Sequence, residues 1–239
     1  AYDVTGDGTK DKIRIRAANQ TDDETYTSLT VSVNGKTAYR LKNTCFYNVI
    51  ANIYTLKNGQ PFLYLYAPAE NGDGPVCALL KYTNGKFRKI LDFTEIMAGY
   101  GNHRIGEVTN LNGNKIVITE SIVSYSLGIN AINFTYEYVN RKFVPTSRYG
   151  SYKEIYSADG SSRYFTVNSD LPAYARPGAT AVNTTLKTGS LTKIIKCALI
   201  NRKMYIQLEC DGEIYWIKAL ENPPISDSER QFMEVRYAG

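Results

Sequence analysis

The sequence predicts an all-β protein built as an array of about three hairpin-rich units followed by a smaller β domain. Three observations carry this. Apolar and polar residues alternate in run after run, while a helical period is almost absent. The runs are broken by Asn-Gly and Asn-Arg pairs, residues that tolerate positive φ and make two-residue hairpin turns. The 239 residues include 20 Tyr, which bury a ring on one face of a strand and keep a hydroxyl in water. That composition also suits a sugar- or peptide-binding surface. The length allows one large or two small domains, and two are expected: a β-repeat domain over 1–150 and a second over 169–220. A linker or edge hairpin over 151–168 joins them, and 221–239 forms a tail.

The chain opens on Asp3-Val4-Thr5-Gly6-Asp7-Gly8-Thr9-Lys10-Asp11 and runs straight into the strand-like Lys12-Ile13-Arg14-Ile15-Arg16. Alternation turns Asp3, Thr5, Asp7 and Asp11 to one side, Thr9 can add its carbonyl, and Gly6 and Gly8 let the backbone curl. This is the oxygen set that calcium, which takes about six to eight oxygens, requires. The spacing resembles the Asp-x-(Asp/Asn)-x-Asp-Gly-x-x-Asp loop of FG-GAP repeats, the calcium-bearing hairpins of integrin-type propellers, with Thr5 where a stronger ligand is usual. It departs from an EF-hand: Arg14 stands at the twelfth position, where a bidentate Glu belongs, and no helical period follows. The alternative is a Gly- and Asp-rich turn that holds no metal. A calcium hairpin has a strand before its loop, so a strand is expected upstream of residue 1.

Strand-turn-strand units follow at Leu29 to Leu41, Ala78 to Leu91 and Ile132 to Val144, centred on Asn34, Asn84 and Asn140. The spacing is about that of a four-stranded propeller blade. The second and third units are preceded by hairpins turning at Asn58-Gly59 and Asn112-Gly113; in the first, the Asp loop takes that place. Three blades are too few for a closed ring. An open arc, further blades upstream or a β-sandwich of the same hairpins are the alternatives. Glu70-Asn71-Gly72-Asp73-Gly74 is acidic and Gly-rich, but it follows the second strand of its unit and is not read as another metal site. Asp92 to Tyr100 is the one short helical turn expected, stopping at Gly99.

A turn at Ala158-Asp159-Gly160-Ser161 marks a hairpin within 151–168. The pattern then changes: Asp170-Leu171-Pro172-Ala173-Tyr174-Ala175-Arg176-Pro177-Gly178, Leu186-Lys187-Thr188-Gly189, Met204 to Leu208, and Asp211-Gly212-Glu213-Ile214-Tyr215-Trp216-Ile217. This order resembles a bacterial SH3 domain, with Tyr215 in place of a Gly and Met204 where an aromatic residue is common. The resemblance implies a small β-barrel over 169–220 whose Tyr174, Tyr205, Tyr215 and Trp216 line a groove for cell-wall peptide or glycan; Trp216 has a core role as its alternative. In the tail, a short polar helix over Asp227 to Glu234 and a strand-like Val235-Arg236-Tyr237 are expected to return to the first domain.

The net charge of +5 is thinly spread. No Lys/Arg run forms a nucleic-acid stripe, although mild basicity favours anionic wall polymers at low salt. No stretch approaches the roughly 18 apolar residues of a membrane span. Cys45, Cys77, Cys197 and Cys210 have no C-x-x-C spacing and a single His accompanies them, so zinc is not expected. Cys197 and Cys210 flank a turn at Asn201-Arg202-Lys203, leaving a disulfide or two buried thiols open. His103, the one imidazole, lies in a turn without a nucleophile beside it. No phosphate loop and no particular carboxylate pair stands out. The expectation is a non-catalytic extracellular or cell-surface protein of a Gram-positive-like bacterium, with structural calcium and cell-wall peptide or glycan as partner. The alternatives are a glycan- or peptide-cleaving hydrolase with an unrecognised carboxylate pair, and an accessory domain for protein contacts.

Overall fold

The structure, a computed structural model, describes residues 2–70, 73–157 and 160–237. Asn71 and Gly72 of the acidic loop, Ala158 and Asp159 of the expected hairpin turn, and the end residues Ala1, Ala238 and Gly239 lie outside the described residues. The protein is all β, with several antiparallel sheets and, among the described residues, helical turns limited to 3-10 segments such as Phe93–Glu95 and Asp227–Glu229. At Phe93–Glu95 the Asp92 carboxylate accepts from the Thr94 N–H, the cap that starts the turn, and Gly99 adopts φ 90°. The chain divides into two compact units: 1–96 with 110–116 and 137–144, and 97–109 with 117–136 and 145–239.

The first unit holds a three-stranded sheet, β1 (Ile13–Gln20), β2 (Tyr26–Val33) and β3 (Lys36–Phe46), and a four-stranded meander, β4 (Ile50–Thr55), β5 (Pro61–Ala67), β6 (Val76–Thr83) and β7 (Lys86–Asp92). Their turns follow from the sequence. Asn34-Gly35 and Asn84-Gly85 have positive φ at both positions, which matches the right-handed twist of the flanking strands. Alternation then sends Leu29, Val31 and Val33 of β2 into one core with Leu63, Leu65, Leu80 and Phe87 of the meander. Burying each such side chain contributes about 1.5–3 kcal/mol relative to exposure. Phe62, Tyr138 and Phe143 form a second aromatic group in this unit, with ring centroids 4.9–5.2 Å apart.

The remaining strands are β8 (Gly101–Asn112), β9 (Lys115–Ser124), β10 (Gly128–Val139), β11 (Lys142–Pro145), β12 (Tyr149–Ser157), β13 (Gly160–Ser161), β14 (Tyr164–Thr166), β15 (Leu171–Ala173), β16 (Thr184–Leu186), β17 (Leu191–Ile200), β18 (Lys203–Cys210) and β19 (Glu213–Lys218). A ten-stranded sheet runs β19-β18-β17-β12-β10-β9-β8, with β11, β13 and β14 attached, while β15 and β16 form their own pair. The turn between β8 and β9 is Gly113-Asn114, one residue beyond the expected pair, because Gly113 alone takes positive φ.

The expectation of a small closed barrel over 169–220 is corrected here: no sheet among the described residues closes. The reason is β12, which pairs with β10 through Asn133↔Ser151 and with β17 through Ser151↔Lys196. β12, most of which lies in the segment expected as a linker or edge hairpin, therefore sits in the middle of one sheet. The tail returns by bridges Val167↔Phe232 and Ser157↔Val235 and by the Ile129 N–H donating to the Arg236 carbonyl at 3.0 Å. Only Asp227–Glu229 of the expected tail helix is helical, as a 3-10 turn. Register also separates the two thiols of the β17–β18 hairpin. Cys197 faces Ile206 and Cys210 faces Thr192, and all four cysteines are free.

Candidate functional site

The Asp loop folds around its own carboxylates. Asp3 accepts from the N–H groups of Gly6 (2.6 Å), Gly8 (2.7 Å) and Asp7 (3.2 Å) and from the Thr5 hydroxyl (3.2 Å). Buried Asp11 accepts from the N–H groups of Val4 (2.7 Å) and Thr5 (2.8 Å), from the Thr5 hydroxyl (3.3 Å) and from the Asn34 amide (2.6 Å). Desolvation raises both carboxyl pKa values, but these donors together outweigh it and hold both below 3.8. Asp7 turns aside to cap the Thr9 N–H at 2.8 Å.

Of the five residues proposed as metal ligands, the fold thus brings Asp3, Thr5 and Asp11 together, with the Thr5 hydroxyl between the two carboxylates. The Asp7 carboxylate and Thr9 are engaged with one another. Among the described residues no three His, Cys, Asp or Glu side chains form a metal-holding group. The donor set fits calcium in kind, since it is all oxygen. Asp3, Thr5 and Asp11 supply fewer than the six oxygens such an ion requires, so Asp7, Thr9 or water would have to complete the shell.

The four aromatic residues proposed for a groove separate by face. Tyr174, Tyr205 and Trp216 are only 4–6 % exposed and pack with Ala198, flanked by Tyr149, Ala179 and Ile200. Tyr174 and Trp216 also exchange backbone hydrogen bonds at 2.7 and 2.9 Å. Tyr215, one residue before Trp216 on β19, points to the opposite face of the strand, as period-two alternation requires. Trp216 is therefore a core residue.

Register assembles something the sequence reading missed. Asn133 on β10 is opposite Ser151 on β12, Ser151 is opposite Lys196 on β17, Lys196 is opposite Gln207 on β18, and Gln207 is opposite Trp216 on β19. Directly opposed residues share a face, so these five form one row across five strands. At its β10 end lies a groove of about 300 Å³, lined by Asn133, Thr135, Ser147, Tyr149, Ser151 and Lys196 with Val117, Thr146 and Gly150. None of these residues is acidic.

The Lys196 ammonium lies 4.5 Å from the Tyr149 ring centre and 6.0 Å from that of Trp216, and the Arg148 guanidinium carbon lies 5.2 Å from the Tyr149 ring centre. Lys218 stands 5.0 Å from the Tyr174 ring. Asn133, which lines the groove, accepts at its carbonyl oxygen from the Thr119 hydroxyl at 2.7 Å, so its amide nitrogen is the end free to donate. Tyr149 N–H donates to the Ser147 hydroxyl at 3.0 Å and so fixes that wall. No alternation pattern in a single strand distinguishes these residues; the row exists only once β10, β12 and β17 are in register. Comparison with protein-family models, curated proteins and solved structures found no match.

Proposed function

We propose that the protein is a non-catalytic, extracellular or cell-surface β protein that binds cell-wall glycan through the groove over strands β10, β12 and β17 of its ten-stranded sheet. The carrying observation is the groove beside Tyr149: an aromatic wall, hydroxyls and an amide on a rigid sheet, and an ammonium group. Sugars are bound by this combination, in which the exposed part of a ring gives apolar contact to C–H groups while fixed polar groups read hydroxyls. The absence of Asp and Glu from the lining supports holding a glycan rather than cleaving one, because glycoside hydrolysis uses a carboxyl pair.

In this reading the three hairpin-rich units retain the likeness to propeller-type repeats, and β17 to β19 the likeness to SH3 strands, with binding moved from the buried Tyr174, Tyr205 and Trp216 to Tyr149 and its neighbours. Calcium acts at the Asp3 to Asp11 loop as a structural clasp, and the millimolar affinity usual for extracellular modules suits that location. The function is tested by sedimenting purified protein with isolated Gram-positive cell walls. Protein in the pellet, reduced by Tyr149→Ala with an unchanged melting temperature, is the expected result; protein left in the supernatant overturns it.

A further inference from the structure

We infer that the groove selects an anionic glycan, holding the carboxylate of an acidic sugar on Lys196; this rests on the glycan-binding reading and adds the class of sugar. The groove holds donors without matching acceptors. Lys196 is half-buried beside Tyr149, and no ion pair joins it to an acidic side chain among the described residues. The Asn133 amide nitrogen has no protein partner among the described residues, and neither do the hydroxyls of Thr135 and Ser151. The Ser147 hydroxyl accepts from Tyr149 and keeps its own proton to donate.

The lining thus presents an ammonium, an amide N–H pair and several O–H groups, and no carboxylate to accept. A ligand rich in acceptors satisfies that set. A neutral sugar leaves the ammonium without a counter-charge, whereas a carboxylate gives it a charge-assisted bond, roughly twice as strong as a neutral one. One cation at the centre of the row matches one negative charge per sugar. Arg148 and Lys218, on either flank of the aromatic group, continue the positive face along which successive acidic units of a polymer would run.

The cations lie against the ring faces of Tyr149, Trp216 and Tyr174. Two of those rings are buried. Only Tyr149 of the three is part-exposed, so no series of rings is open to successive nucleobases, as sequence-tolerant nucleic-acid binding uses, and this favours a carboxylated polysaccharide over a nucleic acid.

The test is titration calorimetry of the whole chain against an oligogalacturonate, its fully methyl-esterified form, a polyphosphate and oligo-dT. The expected result is oligogalacturonate binding that weakens at least tenfold on esterification. Lys196→Met is expected to weaken it at least tenfold, Lys196→Arg to restore most of it, and Lys142→Met, a substitution outside the groove, to change nothing, with melting temperatures recorded for each. Equal binding of acid and ester overturns the anionic assignment and leaves glycan binding standing. Loss of sedimentation with walls overturns glycan binding itself. Polyphosphate or oligo-dT binding as tightly as oligogalacturonate overturns the choice of a carboxylated sugar, and an unchanged affinity in Lys196→Met overturns the site.

Discussion

The side-chain amide of Asn34 donates to the Asp11 carboxylate at 2.6 Å, tying the turn between β2 and β3 to the loop that precedes β1. Asn34 has a second duty: its carbonyl oxygen accepts from the Lys12 N–H at 2.9 Å. Its left-handed backbone, φ 50°, is what a two-residue hairpin demands, and the same residue therefore sets the turn and anchors the loop. Replacing Asp11 by Ala strands the N–H groups of Val4 and Thr5 and the Asn34 amide. The expected cost is about 2–3 kcal/mol, read as a lower denaturation midpoint, because bonds to a charged acceptor are among the stronger ones.

Acid should weaken this loop in a defined window. Asp3 and Asp11 have folded pKa values below 3.8, so the unfolded chain binds more protons near that pH and stability rises with pH there. Their contribution is complete above about 3.8 and is lost as pH falls through the lower folded values. Melting temperatures from pH 6 to pH 2 should show this acid limb, and Asp11→Asn should flatten it.

Calcium at millimolar concentration should raise the melting temperature of the wild-type protein by mass action. Asp3→Ala should abolish the rise. An equal rise with magnesium would point to general ionic stabilisation, since the two ions differ in preferred coordination.

Cysteine reactivity should be confined to one residue. Cys45 is exposed, while burial pushes the Cys197 thiol up to about 12 and raises Cys210 as well. A thiolate is the reacting form, so at pH 8 the native protein should label rapidly with one equivalent of maleimide, and Cys45→Ser should remove that phase. Rapid labelling of two or more residues would contradict the buried placement.

Two glycine-related substitutions should move stability in opposite directions. Gly128 has φ 63°, and an added Cβ would lie 2.1 Å from the Arg236 carbonyl oxygen; Gly128→Ala should displace the tail and cost about 2 kcal/mol or more. Arg141 holds φ 67° in an exposed hairpin turn where other hairpins of the chain use Gly. Arg141→Gly should stabilise by about 0.5–1 kcal/mol by relieving the left-handed strain.

Local chemistry was readable from the sequence because each hairpin carries its own turn. Asn34-Gly35, Asn84-Gly85, Asn140-Arg141 and Asn201-Arg202 all fall where the spacing places them. What no local pattern reports is which hairpins share a sheet. Pairing of β12 with both β10 and β17 is a long-range choice, and it places β12, from the segment read as a linker or edge hairpin, at the sheet's centre. The same choice explains the site. Tyr174, Tyr205 and Trp216 look like groove residues in a strand-by-strand reading, yet the covering segment around Ala179 and the β17 face bury them. Asn133, Ser151 and Lys196 are ordinary strand residues until register puts them side by side.

Asn133, Ser151 and Lys196, the part of the row that lines the groove, form the binding surface, and the most direct measurement is an amide NMR titration of the whole protein with soluble cell-wall glycan fragments. Shifts that cluster at Asn133, Ser151 and Lys196 and their neighbours on β10, β12 and β17 are the predicted result. Shifts confined to residues 2–67, or no shifts at saturating fragment, would contradict it.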